Sequence, residues 1–273
     1  MKDLRVSFIG GGNMARALIA GLLRQGVPAA QIRVGEPLPA AREAVSREFG
    51  VSATDDNAAA VAGARVVVLA VKPQELPAVL KALQPSLASG RPLLLSIAAG
   101  IRLADLVTWA PDLAVVRAMP NRPALVGAGA TGLYATDKVG ATERSLAEAV
   151  MQAAGITVWV PSEAALDVVT ALSGSGPAYF FLLAERMAEA AQALGLDADT
   201  ARLLAAETLH GAGRLAGMDH DLAQQRAAVT SRGGTTAAAL AVLDDAAFAE
   251  KVQQALNAAA RRSAELAEAS SRG

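Results

Sequence analysis

The chain has no cysteine, which excludes disulfides, thiolate metal sites and a cysteine nucleophile. Aromatic residues are scarce at 3%, so the 53% hydrophobic share rests mainly on alanine, leucine and valine. That composition suits close helix–helix packing and predicts a large helical share. Only two histidines are present, His210 and His220, and both read as ordinary helix or turn residues. No lysine occurs between Lys138 and Lys251. The histidine acid–base partner of a lactate-type dehydrogenase is therefore missing, and so is a catalytic lysine in the second half. No acid pair or metal-ligand spacing stands out, so no metal is expected.

Neither sign of charge is in excess. Basic residues number 25 against 26 acidic, a net charge of −1, and no basic stripe interleaved with aromatics marks a nucleic-acid surface. No apolar segment reads as the roughly 18 uncharged residues of a membrane span. The opening MKDLRV runs straight into a strand and lacks signal-peptide architecture. The expectation is a soluble cytoplasmic protein without membrane or nucleic-acid partners.

What is present centres on Val6 to Ala15, VSFIGGGNMA. A short apolar run stops at three glycines and a helical pattern follows at once. Gly10, Gly12 and Ala15 fit G-x-G-x-x-[GA] between a strand and a helix. Gly10 permits the tight turn, Gly12 lets a pyrophosphate approach the backbone, and Ala15 keeps helix and strand close. The helix N-terminus offers bare N–H groups and a positive dipole end to phosphate. A nucleotide cofactor is expected, with an ordinary glycine turn as the alternative.

Helix and strand patterns then alternate. Helices are expected over Met14–Arg24, Pro39–Phe49, Leu76–Leu87 and Glu143–Ala154. Strands are expected over Gln31–Gly35, Arg65–Ala70, Pro92–Ile97, Leu113–Arg117, Ala130–Tyr134 and Ile156–Val160. RVVVLA (Arg65–Ala70) is apolar throughout, as in a strand buried on both faces of a parallel sheet. The alternation predicts a doubly wound parallel sheet. Glu36 ends the second strand where a dinucleotide fold places its ribose contact, and an acid there favours a free 2′-hydroxyl. A plain turn residue before Pro37 explains it equally well. Lys72, just past a strand's carboxyl end, is placed to meet cofactor, or is a solvated surface lysine.

At Pro161 the character changes to long alanine- and leucine-rich helices: Glu163–Leu172, Pro177–Leu194, Ala198–Leu215, Leu222–Val229, Thr236–Leu243 and Ala246–Ala269, with Ala269–Gly273 frayed. Their apolar positions are too numerous for one stripe, so they are expected to be buried, most easily against a second copy. Two glycine-rich loops lead into helix N-termini: SGSGPA (Ser173–Ala178) and TSRGGTT (Thr230–Thr236). In the second, Gly233 and Gly234 bare the backbone while Ser231, Thr235 and Thr236 add hydroxyls. That is either a small anion cradle suited to a carboxylate or helix capping with close packing. A protonated imine would suit a site without a histidine, because its own charge polarises it.

FIGGGNMA (Phe8–Ala15), AVKP (Ala70–Pro73), SIAAG (Ser96–Gly100), RAMPN (Arg117–Asn121), ALSGSGPAY (Ala171–Tyr179) and TSRGGTT occur in this order over both halves. With them the chain resembles pyrroline-5-carboxylate reductases over essentially its whole length. The resemblance implies reduction of L-1-pyrroline-5-carboxylate to L-proline, the last step of proline biosynthesis, by NADPH or NADH. It implies an α/β fold, with a Rossmann dinucleotide-binding domain over residues 1–161. An all-α dimerisation and substrate-binding domain over 162–273 would interlock two subunits, often within rings of dimers. Rival readings are a reductase of another cyclic imine and a non-catalytic dinucleotide-binding regulator.

By motif, the resemblance puts the cofactor on Ile9, Gly10, Gly11, Gly12, Asn13 and Met14, and on Ala70, Val71, Lys72 and Pro73. Asn57 lies near the adenosine end, and Ala98, Ala99 and Asn121 lie by the nicotinamide. The substrate carboxylate falls to Ser231, Gly233, Gly234, Thr235 and Thr236, with Thr236 pointing at the ring nitrogen as the catalytic residue. Glu163 matches a substrate-side position. Two residues depart from the family pattern: Arg232 stands where proline is usual, and Glu36 where small or polar residues are usual. A carboxylate at Glu36 would repel a 2′-phosphate, although Arg42 or Arg33 could turn toward one.

Overall fold

A computed structural model describes residues 4–271. Their contacts form two compact units, one ending at Gly174 and resuming at Ala259, the other Ser175–Ala258. The first unit opens β1 (Val6–Ile9), α1 (Asn13–Arg24), β2 (Ile32–Gly35), α2 (Pro39–Phe49), β3 (Ser52–Thr54), α3 (Asn57–Val61), β4 (Val66–Leu69) and α4 (Leu76–Gly90). It continues β5 (Leu93–Ser96), α5 (Leu103–Trp109), β6 (Val115–Met119), β7 (Gly129–Ala135), α6 (Ala141–Met151), β8 (Gly155–Trp159) and α7 (Ala165–Val169). A π-turn, Thr170–Gly174, follows α7.

The strands form one eight-stranded sheet in the order β3-β2-β1-β4-β5-β6-β7-β8. Its centre is parallel and in register, with Val6 beside both Ile32 and Val66. Alternate residues face opposite sides and both sides are covered. Phe8, Val66 and Val68 enter one apolar cluster with α1 and α6, while Ile9, Val67 and Leu69 enter another with α4 and α5. The run RVVVLA is apolar throughout for that reason.

One pairing departs from the all-parallel expectation: β7 runs antiparallel to β6, and β8 runs parallel to β7. Only residues 120–128 join β6 to β7, too few for the crossover a parallel neighbour needs. The edge strand β3 went unseen in the sequence because its three residues are exposed or half-buried and show no apolar run.

Helix α1 shows how local sequence sets packing. Ala15, Leu18, Ile19 and Leu22 bury one face, and Arg24 sits in the last turn where a cation suits the dipole. The helix stops at Gly26, whose N–H donates to Leu23 while the Val27 N–H donates to Leu22, both at 3.0 Å. Gly21 lies against the backbone of Ala153, and a Cβ there would stand 1.9 Å from the Ala153 carbonyl oxygen.

The second unit holds α8 (Gly176–Ala193), α9 (Ala198–Met218), α10 (Leu222–Ala228), α11 (Thr235–Leu243) and the first half of α12 (Ala246–Ser271). Asp197 and Asp221 cap α9 and α10 through the Thr200 and Gln224 N–H groups, each at 3.0 Å. The expectation that these helices are buried does not hold within one chain. Phe180, Phe181, Leu182 and Val242 are 60%, 61%, 51% and 77% exposed. The second half of α12 packs in the first unit, with Ala267 buried and Leu266 and Ser270 against Gly100. Its helix continues through Ala269 to Ser271, where fraying was expected; Arg272 and Gly273 lie outside the described residues.

The helical stretch Ala165–Ala193 has a window of mean hydropathy 1.3 and is, by length and composition, apolar enough to cross a membrane. One such helix is weak evidence for a span, because core helices of soluble proteins pass the same test.

Gly21→Ala should destabilise the protein by about 1–3 kcal/mol, because the added methyl collides with backbone rather than a movable side chain. Urea denaturation checks this, and an unchanged midpoint would show that α1 can shift freely.

Candidate functional site

The carboxyl ends of β1, β2 and β4 converge on the glycine loop. Gly10 N–H donates to the Gly35 carbonyl and Ala70 N–H to that of Ile9, both at 2.8 Å. Gly10 has φ +97°, and a Cβ on it would come within 2.7 Å of the Ala70 oxygen, so both the turn and the close approach require glycine. Gly12 opens α1 without any side-chain cap, and Gly12 and Asn13 are exposed. No atom lies within 4 Å of where a Gly12 Cβ would be. The first-turn N–H groups of α1, including those of Asn13 and Met14, therefore have no side-chain cap and carry the positive end of the helix dipole. The bare, exposed helix start fits a dinucleotide pyrophosphate.

Glu36 sits at the end of β2, only 9% exposed. One carboxylate oxygen accepts the Gly11 N–H at 2.9 Å and the other the Leu38 N–H at 3.0 Å. Arg42 donates to the Glu36 and Pro37 carbonyls and pairs with Asp55. Asn57 begins α3 beneath Gly35, where a Cβ would stand 2.2 Å from Asn57 Oδ1. That oxygen is buried without a hydrogen-bond partner. Thus Ile9–Met14, Glu36, Asn57 and Ala70 gather at one end of the sheet.

Val71, Lys72 and Pro73 follow β4, and Lys72 is exposed and forms no ion pair among the described residues. Ala98 and Ala99 follow the adjacent β5, the first buried and the second exposed. Asn121 is used inside the protein: its Nδ2 donates to the Ser173 carbonyl at 3.0 Å, and its Oδ1 accepts from Ala130 N–H at 2.9 Å. It fastens the π-turn to the sheet.

Glu163 belongs to a charged cluster that sequence reasoning missed. Its Oε1 accepts from Arg117 and, at 2.7 Å, from the Leu103 N–H. Beside it Arg102 pairs with Asp167 at 2.9 Å, and Asp167 accepts the Ser263 hydroxyl at 2.7 Å. Arg117 is 7% exposed; burial pulls its guanidinium below the ordinary arginine value, and Glu163 opposes that shift. The available signal was an arginine inside the apolar strand VVRAM.

In the second unit, Thr230–Thr236 forms an exposed turn into α11. Gly233 adopts φ +70°, Gly234 N–H donates to the Ser231 carbonyl at 3.1 Å, and Gly234 starts the helix with no side-chain cap. Ser231, Gly233 and Thr235 are exposed and Thr236 is half-buried. Its free N–H groups and hydroxyls can receive a carboxylate.

Sheet, glycine loop and trailing helices together define a dinucleotide-dependent oxidoreductase. Residues 5–100 match the family described as NADP oxidoreductase, coenzyme F420-dependent, and residues 163–266 that described as pyrroline-5-carboxylate reductase dimerisation. The chain is 49% identical over 270 residues to the pyrroline-5-carboxylate reductase of Pseudomonas aeruginosa, covering 98% of both. It is 43% identical to that of Haemophilus influenzae, over 97% of this chain and 98% of the relative. The solved Coxiella burnetii pyrroline-5-carboxylate reductase is similar at TM-score 0.93 and 41% identity, over 97% of this chain and 98% of that one. The Plasmodium falciparum pyrroline carboxylate reductase with NADP bound reaches TM-score 0.80 and 27% identity, over 98% and 99%. The chain belongs to the pyrroline-5-carboxylate reductase family.

Gly12→Ala should leave thermal stability unchanged, since its methyl meets nothing, yet weaken dinucleotide binding at least about tenfold by blocking the pyrophosphate's approach. Fluorescence titration with the reduced cofactor reads this, and wild-type affinity would remove Gly12 from the site. Glu163→Ala should cost about 3 kcal/mol by leaving the Arg117 charge buried and unpaired. Denaturant titration of the variant tests that, and a loss below about 1 kcal/mol would show the pair to be solvated.

Proposed function

We propose that the protein reduces L-1-pyrroline-5-carboxylate to L-proline with a reduced nicotinamide dinucleotide, as the last step of proline biosynthesis. The likeness to enzymes of that name over 98% of the chain carries the reading, because it takes in both glycine-rich loops at once. In it, Ile9–Met14 and Ala70–Pro73 hold the cofactor. Asn57 lies toward the adenosine, and Ala98, Ala99 and Asn121 toward the nicotinamide. When bound, the nicotinamide supplies hydride.

The chain's own contribution is to bind and orient. The N–H groups of Gly233 and Thr235 and the hydroxyls of Ser231 and Thr235 take the substrate carboxylate, on a turn that the Gly234 N–H closes onto the Ser231 carbonyl. The Thr236 hydroxyl meets the ring nitrogen. Hydride addition at C5 of a protonated imine converts C=N to a secondary amine with charge balanced, so the step needs no strong acid. That agrees with two glycine-rich loops that hold no histidine. Positioning does most of the work, and Glu163 supports it indirectly as the counter-ion of Arg117.

Residues 1–161 serve the dinucleotide in this reading, and 162–273 serve dimerisation and the substrate. The exposed apolar residues of α8 and α11 fit a homodimer, in which a second subunit rather than lipid covers them. The same resemblance favours a ring of dimers and a cytoplasmic enzyme.

Purified protein should consume pyrroline-5-carboxylate with loss of reduced-nicotinamide absorbance. Dinucleotide binding without turnover would move the assignment to another cyclic imine or to a regulator. Thr236→Ala should bind cofactor normally and turn over at least about tenfold more slowly, a loss of about 1.4 kcal/mol in transition-state stabilisation. Unchanged turnover in steady-state assays would take Thr236 out of the mechanism.

A further inference from the structure

We propose that Glu36 makes this protein selective for NADH over NADPH, by accepting the free 2′-hydroxyl of the adenosine ribose and rejecting a 2′-phosphate. The proposal rests on the dinucleotide reading above and names which dinucleotide the site takes.

A turn residue before Pro37 would need only its local bond to Leu38. The Glu36 carboxylate does more, reaching across the sheet end to the Gly11 N–H at 2.9 Å while its other oxygen holds the Leu38 N–H at 3.0 Å. Two backbone donors on separate elements fix its orientation, and at 9% exposure it has little room to swing away. It therefore stands beside the glycine loop as a fixed, charged acceptor. A carboxylate has about four lone-pair positions, so two remain for a ribose hydroxyl. A 2′-phosphate brings acceptor oxygens and about −1.5 to −2 charges, and meets like charge where NADH donates a hydrogen bond.

The arginines that could offset this repulsion are already engaged. Arg42 donates to the carbonyls of Glu36 at 2.9 Å and Pro37 at 3.1 Å and pairs with Asp55 at 3.5 Å. Arg33 donates to the carbonyls of Ala62 at 2.9 Å and Ala59 at 3.4 Å. Arg16 pairs with Glu48. Asp55 and Asp56, which follow β3, add negative charge. To serve a 2′-phosphate, Arg42 would have to give up three acceptors and leave Asp55 without its partner.

The test is equilibrium binding of NADH and NADPH to the full-length protein, with displacement of NADH by 5′-AMP and by 2′,5′-ADP as nicotinamide-free probes. NADH should bind at least about tenfold more tightly than NADPH, and 5′-AMP should displace it better than 2′,5′-ADP. Glu36→Gln keeps an acceptor for Gly11 without the charge, and should recover most of the NADPH affinity while NADH affinity stays within about threefold. Glu36→Ser, with neither the charge nor the reach, should move the ratio further toward NADPH. Wild-type preference for NADPH, or a ratio unmoved in Glu36→Gln, would overturn the proposal and leave the dinucleotide reading standing. Failure of both cofactors to bind the wild type would overturn that reading as well.

Discussion

The carboxyl ends of β1, β2 and β4 meet so closely that no side chain fits between them. A Cβ on Gly10 would press into the Ala70 carbonyl at 2.7 Å, and one on Gly35 into Asn57 at 2.2 Å. The strands are joined there by backbone hydrogen bonds, Gly10 to Gly35 and Ala70 to Ile9, and by the Glu36 carboxylate on the Gly11 N–H. This single constraint organises the first unit. It turns the chain sharply into α1, leaves that helix's first N–H groups bare, and delivers Glu36 and Asn57 to the same sheet end. A fold that crowds its backbones this way gives up side-chain packing at the site and obtains a surface that phosphate can approach.

Much of this was legible because it follows from local rules. Apolar runs of strand length marked β1, β2, β4 and β5, the glycine spacing marked the loop, and alanine–leucine periodicity marked α8 to α12 within a few residues. What stayed hidden depends on distant partners. The three residues of β3 carry no apolar signal and are held by pairing with β2. The reversal of β7 depends on the length of one connection. The amide of Asn121 finds Ser173 and Ala130 across the fold, and no spacing in the sequence announces that use. The motif shared with the family puts Asn121 near the cofactor, and its amide also braces the chain.

The Arg117–Glu163 and Arg102–Asp167 pairs show the same limit in electrostatic form. Charges taken from water must be matched by partners, and a pair seldom repays its full desolvation. A buried pair is most plainly useful where it fixes a unique arrangement. Here four side chains and the Ser263 hydroxyl tie the β5–α5 loop, β6, α7 and the end of α12 together. Glu163 alone joins two of these elements, accepting from Arg117 on β6 and from the Leu103 N–H at the start of α5.

The apolar residues that α8 and α11 leave in water have a thermodynamic consequence. When a partner subunit supplies part of a protein's core, unfolding is no longer a property of the chain alone but a bimolecular equilibrium. Dilution then acts as a denaturant, and each tenfold fall in subunit concentration removes about 1.4 kcal/mol per mole of dimer from apparent stability. Subunit concentration thereby becomes part of what sets the apparent stability of such a dimer.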